Sequence, residues 1–396
     1  MKKRGRENNI AKIKVIGVGG GGGNAISRMC DDFPRSVDFI AVNTDVQDLN
    51  VCNARKKIYI GKNTTKGLGA GMNPELGRKA AEENRAEISE ALKGADMVFI
   101  TAGFGGGTGT GAVPFVAELA KELGILTVAV VTKPFGFEGN QRMRIAQEGI
   151  IKLQDKVDTL ITIPNDKIFS LIDKNTSLTR AFEKIDEILK NAVQGVAELI
   201  AVPGIINVDF ADVKAVMQDA GSAIIGIGIA SGSDRANVAA NMAINSPLLE
   251  ISIEGARGVL FNVSGHRDLK MDEVNEIAQQ IAENVDRSAK IIFGTYNDRR
   301  LKKGEIKVTL VATGFESNLN KEIALLPGLF VSVNNAIEDR PAIDHAYRQA
   351  GFEKEEKSAS RRTGKIKKNK EETAADSKNK PEEIWDIPTF LRRKKR

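Results

Sequence analysis

Residues 100–114 read ITAGFGGGTGTGAVP. The apolar run DMVFITAG at 96–103 leads into Gly105-Gly106-Gly107-Thr108-Gly109-Thr110-Gly111 and then into a helical pattern. Such a segment offers a row of unobstructed backbone N–H groups, two hydroxyls and a helix N-terminus, the parts of an anion cradle. One glycine loop is ordinarily a tight turn, but this chain has two. Residues 17–25, GVGGGGGNA, follow the β-branched run KIKVI and include five consecutive glycines, Gly19–Gly23. Glycine loses more backbone entropy on folding than any other residue. A di- or triphosphate gripped from two sides explains both loops.

The surroundings fit that reading. KIKVIGV, VDFIAVN, KKIYIG, DMVFITAG, LTVAVVT and DTLITIPN read as strands separated by helical patterns, and several lack polar alternation. Strands of that kind are buried on both faces, which predicts a parallel sheet covered by helices over 11–177. Residues 178–202 carry apolar residues at helical spacing and stop at Pro203-Gly204, which predicts a long central helix. SAIIGIGIA, ARGVLFNVSG, AKIIFGTYN and EIKVTLVATGF, with helices near 234–245 and 271–284, predict a smaller α+β unit over 203–316. Residues 1–10 read as an N-terminal arm and 317–383 as a flexible linker too polar for a core. The apolar stretch 324–333, ALLPGLFVSV, does not fit a linker. Residues 384–396 return to apolar side chains and contain the only tryptophan, Trp385.

Composition narrows the function. The net charge of +6 suggests nucleic acid, yet residues 353–396 alone carry 15 Lys and Arg against 9 Asp and Glu. That surplus equals the whole-chain excess, so the folded part is neutral and no specific nucleic-acid face is expected. Cys30 and Cys52 form no CxxC, and His266 and His345 stand alone, so no dedicated metal cage is expected. No apolar run approaches the roughly 20 residues of a membrane span, and no secretory signal follows the basic start. A cytoplasmic protein is expected.

Gly17, Gly19 and Gly22 satisfy G-x-G-x-x-G, so a dinucleotide-binding oxidoreductase is one alternative. Its ribose-binding acid would end the second strand. Here that strand ends VNTD, with Asp45 displaced behind Asn43 and Thr44. No G-x-x-x-x-G-K-[ST] occurs, which excludes a Walker-type NTPase.

The motifs GGGTGTG (105–111), KVIGVGGGGGNA (14–25), TKGLGAGMNPELG (65–77), VTKPFGFEG (131–139), NVDFADVKAVM (207–217) and IPTFLRR (387–393) together resemble the tubulin/FtsZ superfamily of GTPases, in its bacterial cell-division branch. The resemblance covers roughly residues 11–316 and the terminal peptide. It implies an α/β fold with an N-terminal parallel-sheet nucleotide-binding domain of Rossmann-like, tubulin/FtsZ type, a long central helix, a smaller α+β C-terminal domain and a disordered tail. GTP and GDP are the implied nucleotides, with Mg2+, or K+ as a second candidate, accompanying them.

Residue by residue, the resemblance implies a first loop at Gly20, Gly21, Gly22, Gly23, Asn24 and Ala25. The phosphate loop is Gly103 and Gly105, Gly106, Gly107, Thr108, Gly109 and Thr110, and the segment near the γ-phosphate is Gly69, Ala70 and Gly71. Asn43, Thr132 and Pro134 join the nucleotide-binding set, and Glu138 and Arg142 contact ribose and phosphate. The residues alone make Glu138–Arg142 a surface i,i+4 ion pair. Phe182 and Asp186, four apart on one helix face, are implied to surround guanine with Asn24 and Asn165. An aromatic ring stacks on a base, and a carboxylate accepts from guanine N1–H and N2–H₂ where adenine offers a lone pair. Without the resemblance they read as a core Phe and a solvated Asp.

NVDFADV supplies Asn207, Asp209 and Asp212; Asp209 and Asp212 straddle a helix start, which by spacing is an N-cap and a first-turn acid. The resemblance instead makes them catalytic on the neighbouring subunit's nucleotide in a head-to-tail homopolymer, the septal division ring. A non-hydrolysing GTP-binding scaffold is the other alternative. Asp386, Ile387, Pro388, Phe390, Leu391 and Arg392 are implied to dock membrane tethers and division regulators, placing the protein at midcell with only indirect membrane contact.

Overall fold

The computed structural model describes residues 11–315, except 31, 35, 174 and 250. The arm 1–10, the linker, the stretch 324–333 and the terminal peptide with Asp386–Arg392 lie outside the described residues. Strands β1 (Ile13–Val18), β2 (Val37–Asn43), β3 (Lys56–Tyr59), β4 (Met97–Gly103), β5 (Leu126–Lys133) and β6 (Thr159–Pro164) form a parallel array in the order β3-β2-β1-β4-β5-β6.

Alternate residues of each strand feed two cores, as the two-residue period requires. Ile13, Val15, Met97, Phe99, Val128 and Val130 pack beneath α1 (Gly19–Met29), α7 (Leu178–Ala201) and α8 (Phe210–Met217). Ile16, Val18, Val98, Ile100, Ala129 and Val131 face the other way, against α3 (Pro74–Glu83), α4 (Arg85–Leu92), α5 (Gly107–Glu122) and α6 (Asn140–Gln154). The short α2 (Val46–Val51) follows β2.

Helix α7 starts at Ser177, whose hydroxyl accepts from the Arg180 amide at 3.4 Å, and ends before Pro203. Its apolar stripe of Ile185, Ile188, Leu189, Ala192, Val193 and Val196 is buried. Truncating Leu189 to Ala there would cost about 2–5 kcal/mol through lost transfer energy and the cavity left behind.

The strands after α8 extend the first sheet. β7 (Gly221–Ser231) pairs in parallel with β6 over Thr159–Ile161, and β10 (Glu305–Thr313), β8 (Gly258–Gly265) and β9 (Lys290–Asn297) follow to complete a mixed ten-stranded sheet. Helices α9 (Arg235–Ile244) and α10 (Met271–Glu283) cover one face of this half around a third core containing Phe261 and Leu310.

Candidate functional site

The strand order places β1 and β4 side by side while their following helices open at the same sheet end, the position where open α/β sheets bind ligands. β1 runs straight into α1 and β4 into the loop before α5, so both glycine loops meet there. Gly19 turns the chain at φ +72°, a conformation L side chains rarely adopt. A Cβ on Gly22 would stand 2.5 Å from the Thr101 carbonyl oxygen. This is the close approach that the bare backbone serves.

Neither α1 nor α5 has a side-chain cap or an acid in its first turn. Apart from the Gly107 amide, their N-terminal N–H groups and positive dipole ends are therefore left for an anion. The loops are braced from behind. The Gly107 amide donates to the Gly71 carbonyl at 2.6 Å, the Gly105 amide donates to Thr110 Oγ1 at 2.9 Å, and Thr108 Oγ1 lies 2.6 Å from Thr44 Oγ1.

Between the loops lies a cleft of about 490 Å³. Gly20, Gly21, Gly103, Gly106, Gly107, Thr108 and Gly109 line it, as do Gly71, Thr132 and Pro134. Glu138 and Arg142 stand on one side as an ion pair of 2.9 Å, and Glu138 also accepts from the Phe135 amide at 2.9 Å. Asn165, Phe182 and Asp186 also line the cleft. Phe182 is 43% exposed and sits edge-on to Phe135, with ring centroids 5.6 Å apart. The buried Asn165 Oδ1 has no hydrogen-bond partner. An orphaned acceptor in a cleft wall calls for a donor from a ligand.

Burial pushes the Asp186 carboxyl up to about 6, against the pull of the Arg28 guanidinium and with a further upward push from Glu183. Arg28 Nε donates to Asp186 Oδ2 at 2.9 Å. Among the described residues no group of three His, Cys, Asp or Glu side chains is placed to hold a metal ion. Also among them, no helix is long and apolar enough to cross a membrane.

The remaining sequence-predicted residues fall elsewhere. Gly23, Asn24 and Asn43 line a smaller adjoining pocket. Gly22, Ala25, Ala70, Gly105 and Thr110 are buried, and with Gly69 they lie outside the lining of both. Asn207, Asp209 and Asp212 are exposed on the segment after α7, and none lines the cleft. Asn207 Oδ1 accepts from the Gly204 amide at 2.7 Å. Asp209 occupies the N-cap position of α8, yet its side chain accepts no capping hydrogen bond. The capping bond expected from the spacing is thus absent, while Asp212 does occupy the first turn of α8 as the spacing predicts.

Sequence reasoning missed Asp48, which lines the cleft, and Thr44 and Arg28, which brace it. Asp45 accepts from the Gln47 and Asp48 amides, at 2.8 and 3.3 Å, and so caps α2. Asp45 lines neither the cleft nor the adjoining pocket, so it is not placed for the ribose role a dinucleotide site would need.

A tubulin/FtsZ family GTPase-domain profile matches residues 12–173, and an FtsZ family C-terminal-domain profile matches residues 221–316. An FtsZ from M. jannaschii solved as an empty dimer is 49% identical, covers 78% of this chain and 89% of its own, and superposes with a TM-score of 0.75. A tryptophan-to-tyrosine point mutant of M. jannaschii FtsZ, also 49% identical, covers 77% and 92% with a TM-score of 0.75. CetZ1 from Haloferax volcanii, solved as a GDP-bound monomer, is 22% identical with a TM-score of 0.67 over 79% of this chain and 97% of its own, a likeness of fold. The narrower expectation of a bacterial branch finds no support, since the 49% relative is archaeal. Two glycine loops at one sheet end, followed by these matches over both halves, lead to one assignment: the chain belongs to the FtsZ family of tubulin-type GTPases.

Proposed function

We propose that this GTPase hydrolyses GTP only when assembled head to tail, each cleft being completed by the Asn207–Asp212 segment of the next subunit. The carrying observation is a separation. One chain holds a phosphate cradle, while the acids Asp209 and Asp212 stand exposed away from it, Asp209 making no capping hydrogen bond. A contact between two different faces that does not close produces an open filament. The dimer in which the M. jannaschii relative was solved supports self-association.

In the cleft, the amides of Gly20, Gly21, Thr108 and Gly109 hold the phosphates and stabilise the charge that spreads over them in the transition state. Glu138 and Arg142 face the ribose and phosphates. Phe182 stacks on the base, and Asp186 and Asn165 read guanine. Asp209 and Asp212 of the neighbour orient the attacking water. With no cage of protein ligands among the described residues, a Mg2+ or K+ ion would be held chiefly by the nucleotide's phosphates, where it offsets their charge.

We further propose the division-ring role at the cytoplasmic face of the midcell membrane, with Asp386–Arg392 as the docking peptide for tethers and regulators. The oxidoreductase alternative lacks its ribose-binding acid, because Asp45 does not line the cleft. The test is Asp212→Ala. GTP turnover should collapse while nucleotide affinity stays within about twofold of wild type. Loss of binding together with turnover would contradict the assignment.

A further inference from the structure

Beside the segment that carries Asn207, Asp209 and Asp212 lies a buried polar cluster that the proposed chemistry does not use. Glu198, in the last turn of α7, is 3% exposed, and Tyr296, on β9, is 5% exposed. The Tyr296 hydroxyl donates to Glu198 Oε2. Glu198 Oε1 accepts from Gln194 Nε2 at 2.5 Å and from Arg300 Nη2 at 2.7 Å. Burial and the Glu198 charge together push the Tyr296 phenol far above its usual range. A neutral hydroxyl that only donates is what this carboxylate needs.

The neighbour of Tyr296 fixes the acid-bearing segment. The Thr295 carbonyl accepts from the Ile205 amide at 2.8 Å, and the Thr295 amide donates to the Ile206 carbonyl at 3.1 Å. This isolated antiparallel bridge between Ile206 and Thr295 is the segment's main-chain anchor. The residue after the anchor is thus bonded to α7, and the residue before the segment is α7's own end. Arg300 extends the cluster across the molecule: its Nη1 donates to the Asp32 carbonyl at 2.9 Å, and Lys190 of α7 pairs with the Asp32 carboxylate. Asp32 lies just beyond the end of α1, whose other end is the first glycine loop.

We propose that Tyr296 and Glu198 are positioning residues for hydrolysis: their buried hydrogen bond sets where β9 holds Ile205 and Ile206, and so where Asp209 and Asp212 are presented to the next subunit's nucleotide. This rests on the reading that those acids act in trans. Neither residue touches nucleotide. A small displacement of a reacting group lowers turnover by about tenfold to a hundredfold when the geometry of attack is lost.

The experiment uses the full chain. Tyr296→Phe keeps the ring and removes one donor. Glu198→Gln keeps the shape, and its amide faces the Tyr296 and Arg300 donors with one acceptor fewer. Each is measured for GDP affinity, polymer mass and phosphate release per polymerised subunit at saturating GTP. Each is then mixed with an equal amount of Asp186→Ala, which supplies an intact acid segment beside a weakened cleft. Asp212→Ala mixed with Asp186→Ala serves as the control for action in trans.

The expected result is a turnover about tenfold down for Tyr296→Phe, with affinity and polymer mass within twofold of wild type. Adding Asp186→Ala should lift the rate above the average of the two proteins assayed alone, since about one junction in four then joins an intact cleft to an intact acid segment. If the control regains activity but Tyr296→Phe and Glu198→Gln turn over at wild-type rates, the positioning role is overturned. Loss of nucleotide affinity in both variants overturns it too, because a loosened core would be the cause. If the control itself fails to regain activity, the reading in trans has failed instead.

Discussion

Arg28 Nε lies 2.9 Å from Asp186 Oδ2, joining α1, which begins at the first glycine loop, to α7, which carries Phe182 and Asp186 into the cleft lining. The carboxylate is largely buried, at 14% side-chain exposure, while the guanidinium is 45% exposed. Burial outweighs the cation, so Asp186 titrates near 6 rather than near the ordinary 3.9 or so.

Guanine donates two hydrogen bonds where a carboxylate accepts, and a protonated Asp186 loses half of that match. GTP affinity should therefore fall as pH drops through about 6, and Asp186→Asn should bind more weakly with that pH step removed. The stability sign is the reverse. The folded carboxyl holds its proton more tightly than the unfolded one, so its contribution is full below about pH 4 and is lost as pH rises through about 6. Nucleotide titrations and thermal unfolding of both proteins across that range check the two trends.

Thr44 and Thr108 share a hydrogen bond of 2.6 Å, and Thr44 is fully buried. Thr108→Val leaves the Thr44 hydroxyl without this partner, a desolvation cost of about 1–3 kcal/mol. The double variant with Thr44→Val should lose less than the two single variants combined, because no orphaned hydroxyl remains. Denaturant unfolding of the four proteins measures the coupling, and strict additivity would show the contact to be inconsequential.

Because the Asp209 side chain accepts no capping bond, Asp209→Ala should change stability by less than about 0.5 kcal/mol, as surface substitutions usually do. A loss of about 1 kcal/mol or more would restore the capping role. Turnover, by contrast, should fall by about a hundredfold for a group that meets the reacting atoms.

Phe182 presents an exposed ring over the cleft and rests edge-on against Phe135. Phe182→Ala should weaken GTP and GDP alike by about 1–3 kcal/mol, the usual worth of a base–aromatic stack. Preference for GTP over ATP should persist if, as proposed, Asp186 and Asn165 supply the hydrogen-bond reading. Competition binding with both nucleotides distinguishes stacking from recognition.

The six parallel strands and both glycine loops were legible because doubly buried strands and phosphate loops leave local signatures. β4 and the start of α5 are an example: an unbroken apolar run followed by glycine and threonine. The central helix was legible through its stripe from Ile185 to Val196. What was not legible depends on partners far apart in the chain. The β6–β7 pairing rests on three residues, Thr159–Ile161 with Gly221–Ala223, and no residue in either strand announces it. Arg28 and Asp186 are 158 positions apart, so no spacing rule reveals that one braces the other. Asp209 shows the opposite failure: its spacing is ideal for a cap, but its side chain makes no such bond.

The measurement that most directly tests catalysis between subunits is phosphate release per subunit as a function of protein concentration, with GTP, ATP and magnesium in separate arms. A rate specific to GTP, near zero below a threshold concentration and rising above it, is the result expected of a cleft that needs its neighbour's Asp209 and Asp212. A specific activity independent of concentration would mean that one chain holds the whole site, and would contradict it.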